Sequence, residues 1–427
     1  MSEDLVSGLL AAQNRDDGYD PFEEFNRASG MGNVRDPYPI FAAMRAEAPV
    51  AKIATGAFLG EGGDVQLPPG LSKEIYVALT HDAVSHVLRD GKTFSSAGYA
   101  ESMGPVMGRT ILQMDEPEHA RYRGLIQKAF TKKAIDGWER ELIDPVVNGL
   151  IDRFAARGHA DLVRELTFPF PVAVIAGMMG LPAADFPDFH RLAVELISVG
   201  LDAERGKKAS KGLEAIFSRV LSARRREPRD DLISVLAQAE LDGTRLTDDE
   251  IYAFLRLLAP AGAETTYRSS SNLLFGLLSN PVQLEALRED RSLLPQAIVE
   301  GLRWECPLLG IMRTATRDVT VEGVAIPAGS TVSVNLGSAN RDPSRYDRPD
   351  EFDLFRESKT NMAFAFGPHR CLGMHLAKTE TEVVLNAVLD RLPGLQLDPA
   401  AEDVHITGMI FRAPQTLPVV FEAAPTV

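Results

Sequence analysis

The chain reads as predominantly α-helical with a smaller β region. It is one domain over 21–427, preceded by a flexible acidic tail over 1–20. Three observations predict this. From Asp136 to Leu236 apolar positions recur at helical period, with proline and glycine breaks around 168–182. Thr247-Asp-Asp-Glu250 is a capping box that launches a helix able to run to Leu278. The β-branched runs are short, at Val50–Ala54, around Glu74–Leu79 and between Val319 and Val334, where Pro-Ala-Gly-Ser turns interrupt them.

Taken in order, Met1 to about Asp20 is polar and acidic and without periodicity. Pro21 to about Ala48 carries short helices, with Pro37-Tyr-Pro39 as a turn, and Gly60 to Gly70 is a turn-rich connection between two strands. Thr80 caps the helix that follows. Phe94 to Gly108 is rich in glycine, serine and methionine, which predicts a mobile loop. The helix beginning near Asp115 sets His119 and Arg123 four apart on one face, as a solvated helix or a binding face would. Inside the long helix, Pro260 removes a backbone donor at a cost of about 3 kcal/mol. Gly262 weakens it again, so a kink with room for water is expected. Asn280-Pro281 and Leu294-Pro295 start two further helices.

Composition narrows the function classes. The 45 basic residues are outnumbered by 60 acidic ones, net −15, which argues against nucleic acid and against an anionic membrane surface as partners. No apolar run is long enough to span a membrane. The N-terminus lacks the pattern of a signal peptide, and two cysteines cannot form a disulfide framework. A soluble cytoplasmic protein is expected.

One of those cysteines organises the rest. In Phe364-Ala-Phe-Gly-Pro-His-Arg-Cys-Leu-Gly373, Gly367 and Pro368 enforce a tight loop, and a helical pattern follows Cys371 directly. Cys371 thus lies at a helix N-terminus, where backbone N–H groups and the macrodipole favour an anionic sulfur. Gly367 and Gly373 leave space for a flat cofactor, although a lone cysteine on a loop is also compatible with a merely buried thiol. The run resembles the haem-binding loop of the cytochrome P-450 superfamily, Phe-Gly-x-Gly-x-His-x-Cys-x-Gly. Phe364, Gly367, His369, Cys371 and Gly373 match it, while Ala365 replaces the usual glycine or serine.

That resemblance implies the P-450 fold, heme b (iron protoporphyrin IX) as cofactor and Cys371 as the metal ligand. It implies that His119, Arg123, Arg313 and His369 offset the propionate charge, and that Ala261 and Gly262 lie against the haem. Ala261-Gly-Ala-Glu-Thr-Thr266 resembles the family's oxygen-binding segment, which makes Glu264 and Thr265 the acid–alcohol pair for proton delivery. Read without the family, Glu264 could equally face solvent beside a helix break. Glu300, Arg303 and Arg356 match a buried structural cluster.

The implied activity is a haem-thiolate monooxygenase. It takes O2 and an apolar small-molecule substrate (terpenoid, steroid, fatty acyl or aromatic). Its electrons come from a separate ferredoxin-type partner and an NAD(P)H-dependent reductase. Because an acidic ferredoxin needs a basic patch despite the net negative charge, Arg121, Lys128, Lys132, Lys133, Arg370 and Lys378, flanking the cysteine face, are the docking residues expected here. The alternatives are a peroxygenase or non-oxygenating enzyme of the same fold, a haem-binding sensor or carrier, and a haem-free binding protein.

Overall fold

The computed structural model describes residues 19–28, 31–54, 74–197, 203–241 and 243–423. The Gly60–Gly70 connection and most of the acidic tail lie outside them. A five-stranded sheet forms from β1 (Val50–Ala54), β2 (Glu74–Ala78), β3 (Phe94–Ser95), β4 (Gly310–Ala315) and β5 (Thr331–Asn335), in the order β1-β2-β5-β4-β3. The β1–β2 pair is an antiparallel hairpin with Val50 opposite Ala78. Strand β5 runs parallel to β2 and antiparallel to β4, setting Val332 beside Tyr76 and Arg313. All five residues of β5 are buried, as expected of a central strand covered on both faces.

The helices that matter to the site are α1 (His81–Arg89), α2 (Glu118–Gln127), α3 (Pro169–Met178), α4 (Phe186–Ile197), α5 (Ala203–Arg226), α6 (Asp248–Leu278), α7 (Leu294–Trp304) and α8 (Met374–Arg391). Thr247 and Glu250 close the capping box that begins α6. This helix continues without a break through Pro260 for 31 residues. The expected interruption is bridged because α3, α4, α5, α7 and α8 pack around it and hold its backbone in place. Among the described residues the core has two parts. A large one gathers the faces of α3 to α8, and a smaller one joins the sheet to α1 through Ile75, Val77, Phe94 and Val334.

The segment after β3 is not an open loop. Residues Tyr99–Ser102 and Gly104–Met107 form two short helices, anchored by Val106 and Met107, which are buried in the larger core. Composition alone misread a stretch whose methionine and valine side chains have a core to enter.

Candidate active site

The cysteine loop is shaped by its own backbone. Ala365 N–H donates to the Met362 carbonyl at 2.9 Å, Arg370 N–H to Gly367 at 3.1 Å and Cys371 N–H to Phe364 at 2.9 Å. Gly367 has φ +73°, and a Cβ there would overlap the carbonyl of Leu88 at the end of α1. Ala365 also adopts a left-handed φ of +54°, where glycine is the unstrained residue. Helix α8 starts at Met374, so Cys371 stands just ahead of its N-terminus, and its sulfur accepts the N–H of Gly373.

The surroundings of this sulfur are unusual. Cys371 has an exposed surface, yet burial by the surrounding chain pushes its thiol up, against the pull of Gly373 N–H, Arg123 and Arg370 toward thiolate. Both hold for a sulfur whose own surface is open although the chain surrounds it closely. Ala261 is likewise exposed in the middle of an otherwise deeply buried helix, and Thr265 is only half-buried. Cys306 contrasts with it: burial pushes this thiol up to about 12, and its S–H donates to the Leu308 carbonyl at 3.0 Å. It is a small core residue.

Four basic side chains converge beside the loop. The His119 and His369 rings lie 3.9 Å apart, and His119 Nδ1 is 3.0 Å from Glu116 Oε1. His369 Nε2 is 3.2 Å from Ser96 Oγ. Burial first, then the charges of His119, Arg313 and Arg123, push His369 down to about 3. Arg313 projects from β4 into a buried position facing Tyr99 and Asp115. Arg123 donates to the Arg370 carbonyl at 2.7 Å, tying α2 to the cysteine loop.

On α6, Thr265 Oγ1 donates to the Ala261 carbonyl at 2.9 Å. Glu264 is buried away from solvent, where burial raises its carboxyl to about 8 against the pull of Arg268. A Cβ on Gly262 would lie 2.6 Å from Ile175 Cδ1, so this glycine lets α3 and α6 approach, while Ala261 presents the exposed surface. Glu300, Arg303 and Arg356 come together where α7 meets the segment after Phe352. Arg303 meets Glu300 through two hydrogen bonds of 2.7 and 2.8 Å, and Arg356 Nε lies 3.2 Å from the same carboxylate. Phe364 is half-buried at the loop entrance, with Lys378 Nζ 6.0 Å from its ring centre.

Several neighbours of this site were not legible in the sequence. Tyr99 Oη accepts the Met312 N–H at 2.8 Å, and Asp115 holds the backbone of Ser96 at 2.8 Å. Thr266 Oγ1 donates to Glu380 Oε2 at 3.2 Å, joining α6 to α8, and burial raises the Glu380 carboxyl to about 8. Only folding brings positions 266 and 380 together.

Comparison with known proteins identifies this arrangement. A description of the cytochrome P450 family matches residues 199–406. The chain is 35% identical over 396 residues to cytochrome P450 107B1 of Saccharopolyspora erythraea, covering 90% of this chain and 95% of that one. It belongs to the cytochrome P450 family. It is also 32% identical to the cytochrome P450 monooxygenase PikC of Streptomyces venezuelae, covering 92% of each chain. A crystal structure of CYP109E1 from Bacillus megaterium in complex with testosterone superposes with a TM-score of 0.80 and 32% identity, covering 91% of this chain and 99% of that one.

P450s are haem-thiolate monooxygenases that use dioxygen and redox partners, and this P450 has residues that fit the cofactor. His119 Nε2 is buried with no hydrogen-bond partner among the described residues, as a donor awaiting an anion would be. Nothing lies within 4 Å of a Cβ placed on Gly373, and Cys371 and Ala261 both carry exposed surface. Among the described residues no helix is long and apolar enough to cross a membrane.

Proposed function

We propose that this P450 oxidises a small or medium apolar molecule, with Cys371 as the thiolate that would hold the haem iron, and receives its electrons from a separate ferredoxin-type protein and an NAD(P)H-dependent reductase. The observation that carries this reading is the exposure of Ala261 on the otherwise buried α6, with Thr265 half-buried one turn later, together with the exposed Cys371 on its loop. When bound, haem supplies reductive activation of dioxygen and transfer of one oxygen atom to the substrate. The protein supplies the rest. Gly373 N–H, Arg123 and Arg370 favour the anionic form of the Cys371 sulfur. His119, Arg123, Arg313 and His369 would offer donors and positive charge to the haem's carboxylates, with Tyr99 beside Arg313.

Protons are handled on α6. The Thr265 hydroxyl, held by the Ala261 carbonyl, gives its proton inward, and Glu264 replaces it from a carboxyl that stays protonated near neutral pH. Leu257, Leu258, Leu308 and Ile311 are half-buried and Ile410 is exposed, and they supply apolar walls that exclude water. The testosterone bound to CYP109E1 supports a substrate of that polycyclic, apolar kind.

For the redox partner, the expected basic patch is uneven. Lys128 donates to the Glu240 carbonyl at 2.7 Å, Lys132 pairs with Asp136 at 2.8 Å, and Arg121 bonds Thr244. Arg370 and Lys378, beside the cysteine, are the contacts we assign to the partner. The test is the absorption spectrum of the reduced protein with carbon monoxide. The wild type gives the long-wavelength band of thiolate ligation, and Cys371→Ser loses it. A histidine-type band in the wild type overturns the assignment.

A further inference from the structure

Arg268 follows Glu264 by one turn of α6, with its Nη2 3.7 Å from Glu264 Oε2 and its side chain wholly buried. An arginine is rarely hidden completely, and the cost of desolvating it requires specific support. Part of that support comes from both ends of the chain. The guanidinium lies 4.7 Å from the ring centre of Tyr267 and 5.3 Å from that of Phe411, and its Nη1 is 3.3 Å from Met31 Sδ. Phe411 directly follows Ile410, a proposed wall of the substrate chamber, and pairs with Leu308, another.

Among the described residues, few charged and titratable groups surround Glu264. Arg268 and the Tyr267 phenol share its helix, and Arg164 acts on Tyr267 from the 163–167 turn. Helix α8 brings Glu380, hydrogen-bonded to Thr266. Helix α4 brings His190, which packs on Phe168, and Phe168 packs on Tyr267. Helix α3 carries no ionisable residue. Of these, Arg268 is the one that acts on the Glu264 carboxyl together with burial.

We propose that Arg268 is a positioning residue for Glu264, a fixed buried charge steadied by Phe411 and Met31 that lets the carboxyl give up its proton and survive as a carboxylate. This rests on the proton-relay reading above and adds to it a control point on the substrate-facing loop. In the step, the Glu264 O–H bond breaks as its proton passes to the Thr265 oxygen, which releases its own proton inward. The carboxylate left behind is offset by Arg268 until solvent returns a proton. Without Arg268 only burial would act on Glu264, and the carboxyl would hold its proton too tightly to relay it.

The test is a pH titration of the full-length, haem-loaded protein by difference infrared spectroscopy. The Glu264 carboxylic carbonyl band is assigned by its loss in Glu264→Gln. In Arg268→Met the midpoint of that band should rise by about one pH unit or more, and in Arg268→Lys it should return to within about half a unit of wild type. Phe411→Leu, which keeps the charge but removes one side of its support, should move the midpoint upward by less. An unchanged midpoint in Arg268→Met, or, should that variant not fold, in Phe411→Leu, overturns the proposal. The relay itself is judged separately: Glu264→Gln must raise the share of reducing equivalents lost as hydrogen peroxide, whatever Arg268 does.

Discussion

At the scale of single residues, Thr265 and Ala365 carry the sharpest expectations. The Thr265 hydroxyl is oriented by the Ala261 carbonyl, so Thr265→Ala removes one proton donor without disturbing a buried charge. Reductant consumption should persist while product falls about 10²-fold or more, with electrons recovered as peroxide. Assays of product, reductant and peroxide on one sample check this; unchanged coupling would favour a reaction that needs no proton relay. Ala365 holds a φ of +54° in the cysteine loop. Ala365→Gly should stabilise the protein by about 1 kcal/mol through relief of that conformation, less the packing its methyl contributes. Chemical denaturation of the haem-loaded protein measures it. The sequence revealed the substitution of glycine by alanine, and the loop geometry shows why it strains the chain.

At the scale of elements, α7 is fastened to the segment after Phe352 by Glu300. Its carboxylate takes two bonds from Arg303, one from Arg356 and the N–H of Asp353 at 2.9 Å. Glu300→Gln leaves two arginines without their anion in a buried place and should cost about 3–5 kcal/mol. A thermal unfolding scan followed at the haem absorption band would show it as early haem loss; a shift of only a degree or two would mean that the cluster is solvated. The Glu-x-x-Arg spacing was visible in the sequence but shared by any exposed helix. Burial separates the two cases, and burial is decided by what packs on α7. Helix α6 teaches the converse. Local propensity argued for a break at Pro260, yet five surrounding helices hold the element continuous.

At the scale of the molecule, buried ionisable groups set the pH dependence of stability. Glu264 and Glu380 are each raised to about 8 by burial, from 4.5. The folded protein therefore keeps two protons that the unfolded chain releases above 4.5. Their stabilisation is whole at acid pH and is lost as pH rises through about 8, at about 1.4 kcal/mol per pH unit for each. His190 acts oppositely: burial lowers it from 6.5 to about 4, and neither ring nitrogen has a hydrogen-bond partner among the described residues. Its neutral form supports folding above 6.5, and that support is lost as pH falls toward 4. The carboxyls are thus uncompensated between about 6.5 and 8. Glu380→Gln should flatten the decline of stability across that window, as urea midpoints at pH 6.5 and 8 would report; equal slopes would place the carboxyl in contact with solvent. His190→Phe should improve stability at pH 5 more than at pH 7.

What the sequence determined by itself were features written in short, local patterns: the cysteine loop, the capping box of α6, the His119–Arg123 spacing and the helical class of the chain. These rest on backbone rules and on residue types that act within one turn. The tertiary structure decided what needs distant segments to meet. It turned the glycine- and serine-rich stretch around Tyr99 into packed helices, set Glu380 under Thr266, and placed Arg268 between Glu264 and the two ends of the chain. The reason is physical: the energy of a buried charge or hydrogen bond depends on which groups exclude water from it, and those groups lie more than a hundred residues away.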